Sequence, residues 1–352
     1  MTDKSIPTRI APTRIAIVGT GGMANNHAAA YNDNPDVTVV AGLDMDEALL
    51  QKFCDEYDIE HRFTSLDDLL AWGEFDAVSN VTPDKVHYAT TMQILAANKH
   101  VLCEKPLATS YPEAQEMADL AQKMGVVNMV NLSYRDVAAV QKAAQMVAEG
   151  AIGEVKHFEA SYLQSWLTQP AWGDWKTESQ WLWRLSSEHG SKGVLGDVGI
   201  HIIDFATYIA GQMPQNMDCK LHTFDKAPNN QIGEYPLDAN DSFVMHMQLE
   251  NNALGTISAT RFASGHHNDL RLRIYGDKGG LEVLFEKKIS RLNACLAEDL
   301  ETETWHEVET PEVDTIYQKF VKSIREQKSL EPTFARGAAL QKILDQALGD
   351  HK

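Results

Sequence analysis

The chain reads as an α/β protein of two domains, an N-terminal doubly wound parallel sheet followed by an α/β domain with a large, mostly antiparallel open sheet. Three observations predict this. The first third alternates β-branched runs with helical stretches. After about Tyr134 that rhythm breaks, and from Lys220 onward short alternating strands dominate. The length, 352 residues, exceeds what one compact core accommodates.

The strands of the first domain are Arg14–Val18, Val37–Leu43, Asp76–Val81, His100–Cys103 and Val126–Asn131. Helical stretches begin near Asp46 and span Val86–Asn98 and Pro112–Met124. Strand and helix alternating at this spacing make βαβ units, whose crossovers are right-handed. Asp136–Glu149 then reads as a helix stopped by Gly150, Val155–Leu163 as a strand, and Leu195–Ile209 as a helix. Alternating runs follow at Ser242–Leu249, Ala253–Ala259, Leu270–Tyr275 and Gly280–Phe285, separated by turns such as Gly276-Asp277-Lys278-Gly279. Two helices close the chain, near Val313–Glu326 and Ala335–Leu348. The expected boundaries are a loose leader over 1–12, a first domain over 13–133 and a second over 134–352.

A hydrophobic share of 43% and a charged share of 23% are ordinary for a globular chain and exclude a fibrous or mostly disordered one. The formal net charge of −19 repels phosphate backbones and anionic lipid, so neither nucleic acid nor a membrane surface is an expected partner. No apolar run approaches the roughly 20 residues of a membrane span. The segment Met1–Thr13 lacks the apolar stretch of a signal peptide and carries Pro7 and Pro12. Cys54, Cys103, Cys219 and Cys295 are far apart, with no metal-ligand spacing, and read as thiols in a reducing cytoplasm. His266-His267 reads as a solvated loop, and no metal is expected.

The first strand runs directly into Gly19-Thr20-Gly21-Gly22-Met23-Ala24, a G-x-G-x-x-A form of the Rossmann dinucleotide fingerprint. Gly19 permits the tight turn, Gly21 lets backbone approach a pyrophosphate, and Ala24 is small enough for helix to pack on strand. The amides at the helix start, from Gly22 and Met23, face the phosphates. Asp44 ends the second strand, 20 positions after Ala24, where a carboxylate accepts hydrogen bonds from adenine-ribose hydroxyls. Met45 and Asp46 follow in place of a cation, which favours NAD over NADP. Thr82, Pro83 and His87 follow the third of these strands, at the carboxyl edge where ligands of such sheets bind, and are expected to line the cofactor. A helix N-terminal surface position is the other reading of His87.

Two segments carry chemistry. In Cys103-Glu104-Lys105-Pro106 a lysine stands at the carboxyl end of a strand, where a nicotinamide ring would lie and where its ammonium can donate to a substrate oxygen. In Gly196-Asp197-Val198-Gly199-Ile200-His201 an acid and a histidine are i and i+4 on a helix, with Asp204 further along the stripe. Histidine suits the role of acceptor for an alcohol proton near neutral pH.

Together these motifs resemble the Gfo/Idh/MocA oxidoreductases, over nearly the whole chain from Arg14 to about Leu348. The resemblance rests on the glycine turn, on Glu104-Lys105-Pro106 and on Asp197 to His201. It implies an NAD-dependent dehydrogenase acting on a CH–OH group, and a C-terminal sheet that builds a homodimer or homotetramer. Carried over by position, Lys105 holds the reacting hydroxyl, His201 is the base, and Asp197 binds substrate and tunes it. Glu104 falls with the cofactor site, Pro106 matches a position where a cis bond is common, and Asn131 and Arg135 match a segment that reaches the substrate. Ala24 stands where a third glycine is frequent.

Trp166, Trp172, Trp175, Trp181 and Trp183 crowd the stretch before the Asp197/His201 helix. Indole faces suit the C–H faces of a pyranose, and Arg184 beside Trp183 can fork onto hydroxyls. An aromatic packing cluster or subunit interface is the competing reading. The resemblance points to sugar-oxidising branches, so a sugar, sugar derivative or cyclic polyol is the expected substrate. Three other readings stand beside this one: an NAD-dependent glycosidase using transient oxidation, an NAD-binding regulatory protein without turnover, and an NADP-dependent reductase of a small carbonyl.

Overall fold

A computed structural model describes residues 11–349; the expected leader over 1–12 lies almost wholly outside them. The chain divides into two compact units. The first holds residues up to Asn131 together with Asp314–Gln341, and the second holds Leu132–Val313 with the residues from Lys342 onward.

The first unit contains β1 (Thr13–Val18), α1 (Gly22–Asn32), β2 (Val37–Leu43), α2 (Glu47–Glu56), β3 (His61–Phe63), α3 (Leu66–Trp72), β4 (Ala77–Asn80), α4 (Asp84–Ala96), β5 (His100–Cys103), α5 (Tyr111–Met124) and β6 (Asn128–Val130). The six strands pair in parallel in the order β3-β2-β1-β4-β5-β6, the doubly wound order with its switch point between β1 and β4. Buried β-branched and aliphatic residues explain the strands: Ile15, Ile17, Ala77, Val78, Val101 and Leu102 have no exposed surface. The pair β3 and α3 was not read from the sequence. β3 is three partly exposed residues long, too short to present a period.

The second unit contains α6 (Ala138–Ala148), β7 (Val155–Gln164), α7 (Ser179–Leu182), α8 (Ile200–Ala210), β8 (Pro214–His222), the short pair β9 (Gln231–Ile232) and β10 (Tyr235–Pro236), β11 (Ser242–Leu249), β12 (Leu254–Thr260), β13 (His267–Gly276), β14 (Gly279–Glu286), β15 (Ile289–Leu296), α9 (Asp299–Thr302) and β16 (His306–Glu307). Its main sheet runs β16-β15-β14-β13-β7-β12-β11-β8, antiparallel except for the parallel pair β7/β12. The helix expected from Asp136 instead begins as a 3-10 turn at Ser133–Asp136 and becomes α6 after Val137.

The domain boundary expected at 133/134 needs one correction. The chain returns to the first unit as α10 (Ile316–Glu326) and the first half of α11 (Phe334–Gly349). α10 opens on a capping box between Thr315 and Gln318 and buries Ile316, Phe320 and Val321 with Ile15, Ala28, Tyr31 and Phe53. The Phe334 amide donates to Asn128 Oδ1 at 2.7 Å, and a Cβ on Gly337 would stand 2.7 Å from Val130. An amphipathic helix shows which face is buried but not against which partner, so linear order misled.

Candidate active site

In the first unit the glycine turn sits at the switch point. Gly19 has φ +90°, and a Cβ there would stand 2.7 Å from the Val81 carbonyl oxygen. Both constraints require glycine. Ala24 is fully buried, so alanine satisfies the packing role of a third glycine. Gly21 is the N-cap of α1, no side chain caps the helix, and its first turn carries no acid. A Cβ on Gly21 or Gly22 would meet nothing within 4 Å. An anion-sized group therefore has room against the helix start, where the dipole favours it.

Asp44 is locked over this turn. Its Oδ2 accepts the Thr20 amide at 2.7 Å and hydroxyl at 2.9 Å, and its Oδ1 accepts the Asp46 amide at 3.0 Å. Asp46 caps α2 through the amides of Ala48 and Leu49. Exposed Met23 lies on the first turn of α1, and Lys52 and Glu56 line a depression with Thr20, Gly21 and Gly22. The sequence reading passed over Lys52, because helical spacing alone does not point it at the turn.

After β4, Thr82 is half-buried and Pro83 exposed. Thr82 donates its amide and hydroxyl to Asn80 Oδ1 at 3.2 and 2.8 Å. His87 is not at the surface. Its ring is fully buried with Nδ1 2.8 Å from the Pro106 carbonyl and Nε2 2.7 Å from the Thr82 carbonyl.

Glu104 and Asn131 belong to one buried network. Glu104 Oε1 faces His27 Nε2 at 2.9 Å and accepts Asn131 Nδ2 at 2.5 Å, and Oε2 accepts the Lys105 amide at 3.1 Å. His27 Nδ1 continues to Ser79 at 2.7 Å. Burial raises the carboxyl, but hydrogen bonds and charge from His27, with Lys105 and Asn131, outweigh it and hold Glu104 down to about 2. These buried groups face one another and fix the backbone of Lys105. Lys105 itself is half-buried, and the Lys105–Pro106 bond is cis.

In the second unit the Leu195–Ile209 helix is not uniform. Leu195–Gly199 is a π-turn that runs into α8, so Asp197 lies on a wider turn than the α-helical spacing assumed. Its carboxylate is clasped by two guanidiniums: Arg184 Nη1 to Oδ1 and Arg261 Nη2 to Oδ2, each 3.1 Å. Arg184 therefore spends one arm on Asp197 while its guanidinium lies 4.7 Å from the centre of the Trp183 ring. Arg261, missed in the sequence, has no exposed surface, donates to the Arg184 carbonyl at 3.0 Å, and lies over Trp166. A signal existed: Arg261 is in phase with Ile257 and Ala259 on the buried face of β12.

His201 is buried, with the Tyr134 ring edge-on at 5.1 Å. Tyr134, also missed, shares a 2.5 Å hydrogen bond with the Tyr162 hydroxyl, and burial pushes its phenol up to about 12. Arg135 and Asp204 face each other. They form a bidentate pair at 2.7 Å, nearly fully buried, with the guanidinium 3.6 Å from the Tyr208 ring centre.

The tryptophans divide. Trp166, Trp172, Trp175 and Trp181 pack together with Leu167, Leu182, Leu185 and Leu237, whereas Trp183 stays 40% exposed. His266 is not simply solvated, since its Nδ1 meets Asp269 at 2.7 Å, and His267 stacks on Trp172 at 3.7 Å. The four cysteines are buried free thiols. Among the described residues no helix is long and apolar enough to cross a membrane.

The sequence pattern of the oxidoreductase family with an NAD-binding Rossmann fold matches residues 13–132, and that of the GFO/IDH/MocA C-terminal domain matches 140–282. The chain is 27% identical to levoglucosan dehydrogenase of Pseudarthrobacter phenanthrenivorans, over 81% of this chain and 76% of that one. It is 29% identical to D-glucoside 3-dehydrogenase of Escherichia coli, over 76% of each. A solved levoglucosan dehydrogenase in complex with NADH superposes with a TM-score of 0.84 at 25% identity, over 96% of both chains. The chain belongs to the GFO/IDH/MocA oxidoreductase family, and its first unit is that family's NAD-binding Rossmann fold.

Proposed function

We propose that the protein oxidises a hydroxyl carbon of a sugar, sugar derivative or cyclic polyol with NAD, and that Lys105 and His201 handle the hydroxyl proton. The observation that carries this reading is the buried Glu104 network. It spends a depressed carboxylate, a histidine and an asparagine on holding Lys105 at the carboxyl end of β5, one strand from the glycine turn's switch point. The names of the two relatives, both acting on sugars, support the substrate class.

In this reading the start of α1 at Gly21, Gly22 and Met23 receives the pyrophosphate. Asp44 accepts the adenine-ribose hydroxyls, and Thr82 and Pro83 border the rest of the dinucleotide. Bound nicotinamide supplies the hydride acceptor. Lys105 donates to the reacting oxygen and stabilises the charge that builds there. His201 accepts the hydroxyl proton, its ring held by the Tyr134 edge. Asp197, held by Arg184 and Arg261, accepts from a neighbouring substrate hydroxyl. Trp183 offers an exposed indole face to the C–H face of the ring. Glu104, Asn131 and His87 position the first unit's groups, and the Arg135–Asp204 pair holds α8. The reading includes a cytoplasmic setting and a homodimer or homotetramer built on the second unit's sheet.

The test is NADH absorbance across a panel of sugars and cyclic polyols, with NAD and NADP in parallel, for wild type and Lys105→Ala. NADH formation with NAD by wild type, reduced about 10²- to 10⁴-fold in Lys105→Ala, is the expected result. Full turnover by Lys105→Ala removes its role, and release of an aglycone without net NADH replaces oxidation with glycoside cleavage.

A further inference from the structure

We propose that the imidazolium of His87 is a positioning residue that clips together the turn carrying Thr82 and the turn carrying Lys105. The inference rests on the role given above to Lys105.

The ring stands in the first turn of α4 with no exposed surface. Nδ1 lies 2.8 Å from the Pro106 carbonyl oxygen and Nε2 2.7 Å from that of Thr82. Both partners are backbone carbonyls, which only accept. A neutral imidazole has one N–H and one lone pair, so one of the two contacts would set a lone pair against an oxygen and leave a carbonyl without its donor. Turning the ring over would exchange both nitrogens for carbons and leave both carbonyls unserved. Only the doubly protonated ring satisfies both, and a buried carbonyl left without a donor keeps the full penalty of its desolvation.

The surroundings agree. Burial opposes the charge, while the Cys103 sulfur on β5, the Pro106 carbonyl and the Asp84 carboxylate on α4 favour it, and the imidazole is pushed up to about 10. β4 presents the neutral Asn80 amide, which donates to Thr90 and Thr91. α5 contributes Glu116, which binds Tyr88 on α4.

The two carbonyls belong to the turns that leave adjacent strands, β4 and β5, at their carboxyl ends. Lys105 is thus held on both sides: Glu104 Oε2 takes its own amide, and His87 takes the carbonyl of the next residue. One rigid charged ring fixes the distance between the Thr82 turn and the Lys105 turn. A displacement of about 1 Å in such a group costs on the order of 10²-fold in rate.

The test begins on the whole wild-type chain, with its histidine rings labelled with nitrogen-15 and the His87 signals assigned by their loss in His87→Gln. At pH 8, where an ordinary histidine is neutral, the His87 ring is expected to show two bound protons. One protonated and one bare nitrogen would overturn the proposal. Hydrogen exchange read by mass spectrometry supplies the second arm: His87→Gln should exchange faster in both the 81–84 and the 104–108 segments. Unchanged exchange in either would sink the clip. For turnover, His87→Gln should lose roughly 10²-fold in kcat and raise KM for NAD, since the Thr82 turn borders the dinucleotide, and an unchanged kcat would sink the link to Lys105. A wild type inactive on every substrate would undo the functional reading alone, since the ring protons and the exchange of the two turns are measured without turnover.

Discussion

Asp44 and Glu104 are both carboxylates near the end of a strand, yet they do opposite jobs. Asp44 is half-buried and held at the mouth of the glycine turn by Thr20 and by its own loop. Asp44→Ala is expected to weaken NAD binding by about 10- to 150-fold, the range of a charge-assisted hydrogen bond, and to narrow the preference over NADP; titration calorimetry with each nucleotide checks it. Glu104 is buried and depressed to about 2, so its stabilising contribution is complete above the ordinary carboxylate value and is lost as pH falls through about 2. The stability difference between wild type and Glu104→Gln should therefore narrow as pH drops below about 4.3, read by urea unfolding at several pH values. His87 has the reverse sign. Its value is raised to about 10, so its contribution is complete below the ordinary histidine value of about 6.5 and fades as pH rises through 10.

Among the elements, the turn between β1 and α1 admits no side chain at Gly19. Gly19→Ala would place a methyl 2.7 Å from the Val81 carbonyl at φ +90°. It should abolish NAD binding while leaving the second unit's fold intact, as seen by nucleotide titration beside circular dichroism. α10 carries a packing burden that its sequence shows and its location hides. Phe320 is fully buried in the first unit's core, so Phe320→Ala should cost about 3–5 kcal/mol by urea unfolding. The π-turn at Leu195–Gly199 is the element whose local geometry the residue pattern did not disclose. Periodicity placed a helix there and placed Asp197 and His201 a turn apart. The extra residue per turn is decided by packing, such as Leu195 and the Phe243 ring 3.1 Å from where a Gly199 Cβ would stand.

Across the whole molecule, what was legible followed from local chemistry. The glycine turn, the acid closing β2 and the lysine closing β5 are each set by neighbours within a few residues, and their strands carry unbroken buried runs. What was hidden depends on contacts between distant parts of the chain. Which arm of Arg135 faces Asp204, which of five indoles stays exposed, and that Arg261 lies over Trp166 are all decided by tertiary packing. The return of Asp314–Gln341 to the first unit is of the same kind. A chain ended after Val313 loses Ile316, Phe320, Val321 and Phe334 from that unit, so it should fail to bind NAD and should unfold without the cooperative transition of the full chain.

The proposed handling of the hydroxyl proton by Lys105 and His201 is best examined through kcat/KM for Lys105→Ala, His201→Ala and the double variant on the substrate the panel selects. Groups that act as a unit are strongly non-additive. The double variant should therefore be about as slow as the slower single one, each single loss lying near 10²- to 10⁴-fold. Losses that multiply, or full turnover by either single variant, would contradict the assignment of that proton to this pair.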